Sequence, residues 1–229
     1  EQQSEFKRIT NELVRLSNLF SENVLDASEA WSLYLEDAKR LDGVPDSVVQ
    51  RLAERAASKG HGQGYLLGLD ITLYLPLMQY CKDRMLREEI YRAFTTRASA
   101  QGVHDEKLAN EQVMKEIMCL RQRKAKLLNL ASYGHLSVLS KMAESPEAVL
   151  GFLQELLEKA KPLAERDFKA VQKYALDALA IDDVKAWDVA FVSEAMRRAQ
   201  YDIDHEALRS YFPLPVVLNG LFEIATRLF

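Results

Sequence analysis

Glycine and proline are scarce: 9 and 6 of 229 residues. Few stretches alternate strictly either, so helix should dominate. Cysteine is scarce too. Cys81 and Cys119 are too few for a disulfide framework and suit a reducing compartment. No apolar run approaches the ~18 residues of a membrane span, and Glu1-Gln2-Gln3 lacks the shape of a signal peptide, so no membrane partner is expected. Basic excess is missing: 30 Lys and Arg stand against 34 Asp and Glu, a formal net charge of -4, which argues against a nucleic-acid partner. There is no repeat of fixed period, which argues against a tetratricopeptide or armadillo array. What is present is an ordinary globular composition, 48% apolar and 28% charged, long enough to bury a sizeable core. No low-complexity linker divides it. The chain reads as one helical region over 1–229, with a small β element within 30–70 and a helical body over 72–229.

Periodicity places the elements. Phe6, Ile9, Leu13, Leu16, Phe20 and Val24 recur at steps of three and four, predicting a helix near 4–25. Trp31, Leu33 and Leu35 then alternate with Ser32, Tyr34 and Glu36, as in a half-buried strand. Asp42-Gly43 marks a turn, and Pro45 opens a short helix to about Ala57. Gly64–Leu69 reads as a second strand able to pair with the first around that helix. Thr72 can cap a helix to about Cys81. Asp83 can cap the next, with Leu86, Ile90, Ala93 and Phe94 inward. Asn110 is expected to cap a helix carrying Val113, Ile117, Leu120, Leu127 and Leu128. Ser145-Pro146-Glu147 is a start signal for a helix of about 30 residues, which Pro162 should kink or split near Lys161. Asp188 and Asp204 look like further caps, and Leu214–Phe229 reads as a last helix. That pattern is still apolar at Phe229, and Glu1 is not a start methionine, as expected of a piece of a longer chain.

No complete active site emerges. His205-Glu206-Ala207-Leu208-Arg209 falls one residue short of H-E-x-x-H, the helical zinc motif in which residues i and i+4 share a face. Arg209 is a permanent cation that cannot ligate zinc, so Asp204 capping a helix with Glu206 in its first turn is the favoured reading. A zinc site there would need a distant histidine to complete it. His61, His104 and His135 stand apart, without a carboxylate, Cys or His at ligand spacing, and read as loop or surface residues. Gly60-His61-Gly62-Gln63-Gly64 follows a helix and precedes a strand, the reverse of a phosphate loop. The basic run Arg121–Lys126 fans around a helix axis and reads as a solvated face. Both cysteines are assigned to packing, Cys119 within an apolar stripe. Glu88-Glu89 and Asp182-Asp183 belong to exposed faces or turns.

Several stretches resemble one family. Gly64-Tyr65-Leu66-Leu67-Gly68-Leu69-Asp70-Ile71 runs through Tyr74-Leu75-Pro76-Leu77-Met78 and Tyr80-Cys81. It continues into Leu86-Arg87-Glu88-Glu89-Ile90-Tyr91-Arg92-Ala93-Phe94 and Thr96-Arg97-Ala98-Ser99. Asn23-Val24-Leu25-Asp26-Ala27 precedes these, and Lys141-Met142-Ala143-Glu144-Ser145-Pro146, Trp187-Asp188, Tyr211-Phe212-Pro213 and Asn219-Gly220-Leu221-Phe222 follow in order. Together they resemble the zinc oligopeptidases of the thimet oligopeptidase and oligopeptidase A type.

The resemblance implies a mainly α fold: a multi-helix lobe with one small two-stranded β element, part of a larger two-lobed metallopeptidase with a deep channel. It implies zinc held by H-E-x-x-H and a later glutamate in the intact enzyme, and short unstructured peptides as substrates. This chain matches the part before that motif. It would supply channel wall and no zinc ligand, and would be inactive alone. No residue of it carries over as catalytic, cofactor-binding or metal-ligating. The partner implied is the missing C-terminal catalytic region, and apolar faces left bare on Leu214–Phe229 and Val149–Val171 favour self-association. A cytoplasmic location is expected, an organellar relative being the other possibility. The alternative function is a non-catalytic helical module that binds peptides.

Overall fold

The computed structural model describes residues 1–102, 106–202, 208 and 211–228. Nine α-helices, two short 3-10 turns (Ala38–Leu41 and Glu106–Leu108) and one two-stranded sheet make up the regular structure among the described residues. The first helix, α1, spans Gln2–Ala30, longer at its C-terminal end than the periodicity predicts. It buries Ile9, Leu13 and Leu16 against Val113 and Ile117 of α5 (Glu111–Leu127), with Leu19, Phe20, Leu120 and Leu127 around them. This pair forms a small core of its own.

The main core lies elsewhere. Strands β1 (Leu33–Leu35) and β2 (Tyr65–Leu67) pair antiparallel, with Leu33 opposite Leu67 and Leu35 opposite Tyr65. Leu35 faces inward and Tyr34 outward, as the alternation predicts. Around them pack α2 (Asp46–Ser58), α3 (Ile71–Tyr80), α4 (Arg84–Thr95) and α8 (Ala186–Tyr201). Leu52, Leu67, Leu77, Leu86 and Ile90 are fully enclosed, and Trp187 and Ala190 of α8 close one side. Each such aliphatic side chain contributes about 1.5–3 kcal/mol by leaving water.

Two glycines hold this core's connections. Gly64 at φ +101° lies where a Cβ would meet Tyr34 Oη and the Leu35 carbonyl. Gly43 at φ +86° lies where a Cβ would stand 2.4 Å from the Tyr80 carbonyl oxygen. Gly43→Ala therefore meets both backbone strain and a backbone clash, and is expected to destabilise by about 2–3 kcal/mol. Urea unfolding checks this; a midpoint equal to wild type would refute it.

Several local expectations need correction. Thr72 does not cap α3. The capping position is Asp70, and Thr72 Oγ1 donates back to Asp70 Oδ1 at 2.7 Å. Asn110 stands at the start of α5, but its side chain makes no capping bond. Its Oδ1 accepts from Asn23 Nδ2 at 2.9 Å and its Nδ2 donates to the Phe20 carbonyl, which ties α1 to α5. Asp188 is not at the capping position of α8, which is Lys185, but from three residues inside its carboxylate accepts the Lys185 N–H and so caps the helix start. Cys119 is exposed. It follows the buried Ile117 by two residues, about 200° around the helix, so it faces away from α1. Asp83 and Ser145 do cap, accepting from Leu86 N–H and Ala148 N–H.

The remaining helices are α6 (Tyr133–Val138), α7 (Pro146–Leu179) and α9 (Leu214–Leu228). Pro162 does not split α7, which runs as one helix of 34 residues. A proline removes the N–H that would bond the carbonyl four residues back, here that of Glu158. Both residues are exposed, so water can satisfy that carbonyl without breaking the helix.

Candidate functional site

A depression of about 880 Å³ opens between the second half of α1, the end of α2, the β2–α3 turn and the end of α4. Its floor and walls combine apolar and charged groups. Arg55 NH1 donates to Asp70 Oδ2 at 3.1 Å, and Arg51 NH2 donates to Thr72 Oγ1 at 2.7 Å. Gly68 makes room for this: a Cβ there would lie 2.6 Å from Arg55 NH2. Arg55 Nε is buried and has no hydrogen-bond partner. On the opposite wall the Arg97 guanidinium lies over the Phe94 ring at 3.8 Å, and Phe94 stacks on Tyr74 at 3.8 Å and 14°. Burial pushes the Tyr74 phenol up, so it stays protonated.

A second polar centre sits inside the α4–α8 contact. Asp188 is fully buried and receives Arg84 Nε, Arg84 NH2, Arg87 NH2 at 2.8 Å and the Lys185 N–H at 3.0 Å. Arg87, itself buried, spends its remaining donors on the carbonyls of Cys81, Lys82 and Trp187, and its guanidinium covers the Phe191 ring. Burial pushes the Asp188 carboxyl up, but the arginine and backbone hydrogen bonds outweigh it and hold it below the ordinary carboxylate range. A carboxylate so fully paired is a clamp between helices.

The sequence candidates divide as follows. Gly60–Gly64 is the helix-to-strand connection expected of it, and His61 stacks on Tyr34 at 4.6 Å. The run Arg121–Lys126 fans out as expected: Arg123 pairs with Glu5, Arg121 covers Tyr133 and Lys124 covers Phe6. Cys81 is buried, its thiol donates to the Arg40 carbonyl at 3.2 Å, and burial pushes its pKa up, consistent with packing. Glu89 and the pair Asp182-Asp183 are exposed. Glu88 is half-buried and pairs with Arg92. His104, Asp204, His205 and Glu206 lie outside the described residues. Among the described residues no three His, Cys, Asp or Glu side chains converge as a metal site would require.

His135 does gain a carboxylate neighbour that its sequence context hides. Ser132 Oγ lies 2.9 Å from His135 Nδ1, and His135 Nε2 lies 3.8 Å from Glu147 Oε1. The hydroxyl–imidazole–carboxylate order is that of a nucleophile relay. Here, however, the same hydroxyl accepts the His135 N–H and caps α6. The group joins the starts of α6 and α7; Ser132 and His135 are three positions apart, but Glu147 lies twelve positions beyond His135, too far for a motif search.

Of the 34 residues of α7 only Ala175 is buried, and Leu150, Phe152, Leu153, Leu156, Leu157 and Leu163 are exposed. Val216, Leu221, Phe222 and Ile224 of α9 are exposed as well. No helix among the described residues is long and apolar enough to cross a membrane.

The family model for peptidase family M3 matches residues 77–229. The chain belongs to peptidase family M3. The resemblance drawn from the sequence therefore holds, and it extends beyond the matched segment. Oligopeptidase A of Haemophilus influenzae is 43% identical over 229 residues, covering all of this chain and 34% of that protein. Oligopeptidase A of Escherichia coli K12 is 41% identical over the same length, again with 34% of that protein covered. The organellar oligopeptidase A of Arabidopsis thaliana, chloroplastic and mitochondrial, is 39% identical over 241 aligned positions, covering all of this chain and 29% of that protein. This family M3 chain thus spans about a third of the length of the curated relatives it matches.

Proposed function

We propose that this chain acts as part of a zinc-dependent oligopeptidase that hydrolyses short unstructured peptides. It supplies part of the substrate-channel wall and none of the zinc ligands. The observation that carries the reading is α7, a long helix whose apolar positions face solvent along most of its length. A helix is normally built with such a stripe only to cover it. The oligopeptidase A names of the relatives, and the third of their length that this chain spans, support a further region as the cover.

The side chains of this chain do not fit a zinc site of their own. Family zinc chemistry needs two imidazoles one helical turn apart, and the sequence places Arg209 where the second would stand. When bound, zinc would activate the water that attacks the scissile carbonyl. This chain's contribution is shape: rigid helices on one side of a channel, excluding folded proteins. The location that fits this reading is the cytoplasm, consistent with one Arabidopsis relative described as a probable cytosolic oligopeptidase A.

The coding sequence downstream of Phe229 tests the reading. An H-E-x-x-H helix and a later glutamate are expected there. The chain joined to that region should cleave a fluorogenic short peptide in a chelator-sensitive manner, and the chain alone should not. A stop codon directly after Phe229 would overturn the reading. The two closed cores would then favour a non-catalytic helical module that binds peptides without metal.

A further inference from the structure

The α1–α2–α4 cleft holds more positive charge than its own carboxylates consume. Arg55 is paired with Asp70, and Asp70 is further engaged by Thr72. Lys59 and Arg97 have no carboxylate partner among the described residues, although the chain as a whole is acidic. Arg97 is held flat on Phe94 and donates to the Phe94 carbonyl, so its guanidinium is oriented before any ligand arrives. Preorganisation of this kind reduces the side-chain entropy that binding would otherwise cost. Arg55 adds a buried Nε–H that lacks an acceptor.

The rest of the lining is apolar: Val24, Leu25, Leu69, Ile71 and the Phe94 ring. Ile71 and Leu25 of this lining are exposed and offer a surface to an apolar ligand. Glu29 and Asp70 on the same lining disfavour a multiply charged anion such as a phosphate monoester. The complement is a single negative charge attached to an apolar body. We propose that this cleft is a binding site for an apolar monocarboxylate, the carboxylate meeting Arg97 and Lys59 and the apolar body lying against Ile71 and Leu25. The carboxylate could be that of a small free acid or the C-terminus of a short peptide. Either source presents the same chemistry. The inference does not depend on the peptidase reading, because no step of hydrolysis enters it.

Isothermal titration of the full chain with N-acetyl-leucine, N-acetyl-leucinamide and the tripeptide Ala-Ala-Leu tests the site. Saturable binding of the acid is expected, with the amide weaker by about tenfold or more, the usual consequence of losing a charge-assisted hydrogen bond. Tighter binding of the tripeptide would assign the site to peptide C-termini, and weaker or equal binding would assign it to free acids. Arg97→Gln should weaken the acid by a similar factor. Lys59→Gln, at an exposed residue with no partner to lose, should do so without any change in folding. Lys159→Gln on the distant α7 should leave binding unchanged. Equal affinity for acid and amide, no saturable binding of either acid, or wild-type binding by both cleft variants would overturn the proposal.

Discussion

Asp188→Ala is expected to cost the fold about 3–5 kcal/mol, because it leaves a buried arginine without its counter-charge. The two arginines it holds differ in what they can do next. Arg84 has 41% of its side chain exposed and can turn to water, whereas Arg87 has 1% and cannot. The whole loss should therefore appear on Arg87, which also bridges the end of α3 to α8 through the Cys81, Lys82 and Trp187 carbonyls. Urea unfolding of the variant measures the loss, and a loss under 1 kcal/mol would show that the clamp contributes little. The pH dependence has a definite sign. A carboxyl held below its ordinary value of 3.8 stabilises the fold above that value, and the contribution disappears as pH falls through the lower folded value. The stability gap between wild type and Asp188→Asn should thus be constant from neutral pH to about 4 and narrow only below it. Glu194, held low by the hydrogen bonds from Arg197, is present in both proteins and cancels in the comparison.

In sedimentation the isolated chain is expected to run as a dimer or larger species. The apolar positions of α7 spread over an arc wider than the ~100° stripe of an ordinary surface helix, so an ordinary neighbour on one side would not cover them. With nothing else to cover them, a second copy is the nearest apolar surface in solution, and α9 adds another patch. Leu153→Lys with Leu157→Lys places two charges one turn apart in that arc. Since neither residue is buried, the double variant should keep its helical content and shift toward monomer. A wild-type chain that stays monomeric at high concentration would remove this expectation and weaken the case that α7 is covered by a further region.

Much of this architecture is legible in the sequence because it is local. The stripe from Phe6 to Val24, the alternation around Leu33 and the start signal at Ser145 each lie within one element, and each forms as read. The errors arise where a long-range partner decides. Asp188 does cap the start of α8 through the Lys185 N–H, but its other partners, Arg84 and Arg87, are 104 and 101 positions away and hidden from a local reading. Asn110 looks like a cap, but its amide is committed to Asn23 and Phe20. Cys119 reads as a packing residue because an apolar stripe on a helix does not say how wide the buried sector is. The cleft at Arg97 has no motif at all: it draws on α1, α2, α4 and the β2–α3 turn, whose residues share no spacing. The family, by contrast, was legible because colinear order across a whole chain survives changes at individual positions.

The pairing of α1 with α5 has a consequence for how the chain is made. Asn23 and Asn110 are 87 positions apart, and the Val113–Ile117 face that covers Ile9, Leu13 and Leu16 comes later still. During synthesis α1 leaves the ribosome long before its partner exists, while β1, β2 and the helices from α2 to α4 come together from neighbouring sequence. The first of these helices to be translated is enclosed only once α5 has followed it. Until then its amphipathic face is available to any chaperone that holds nascent apolar helices.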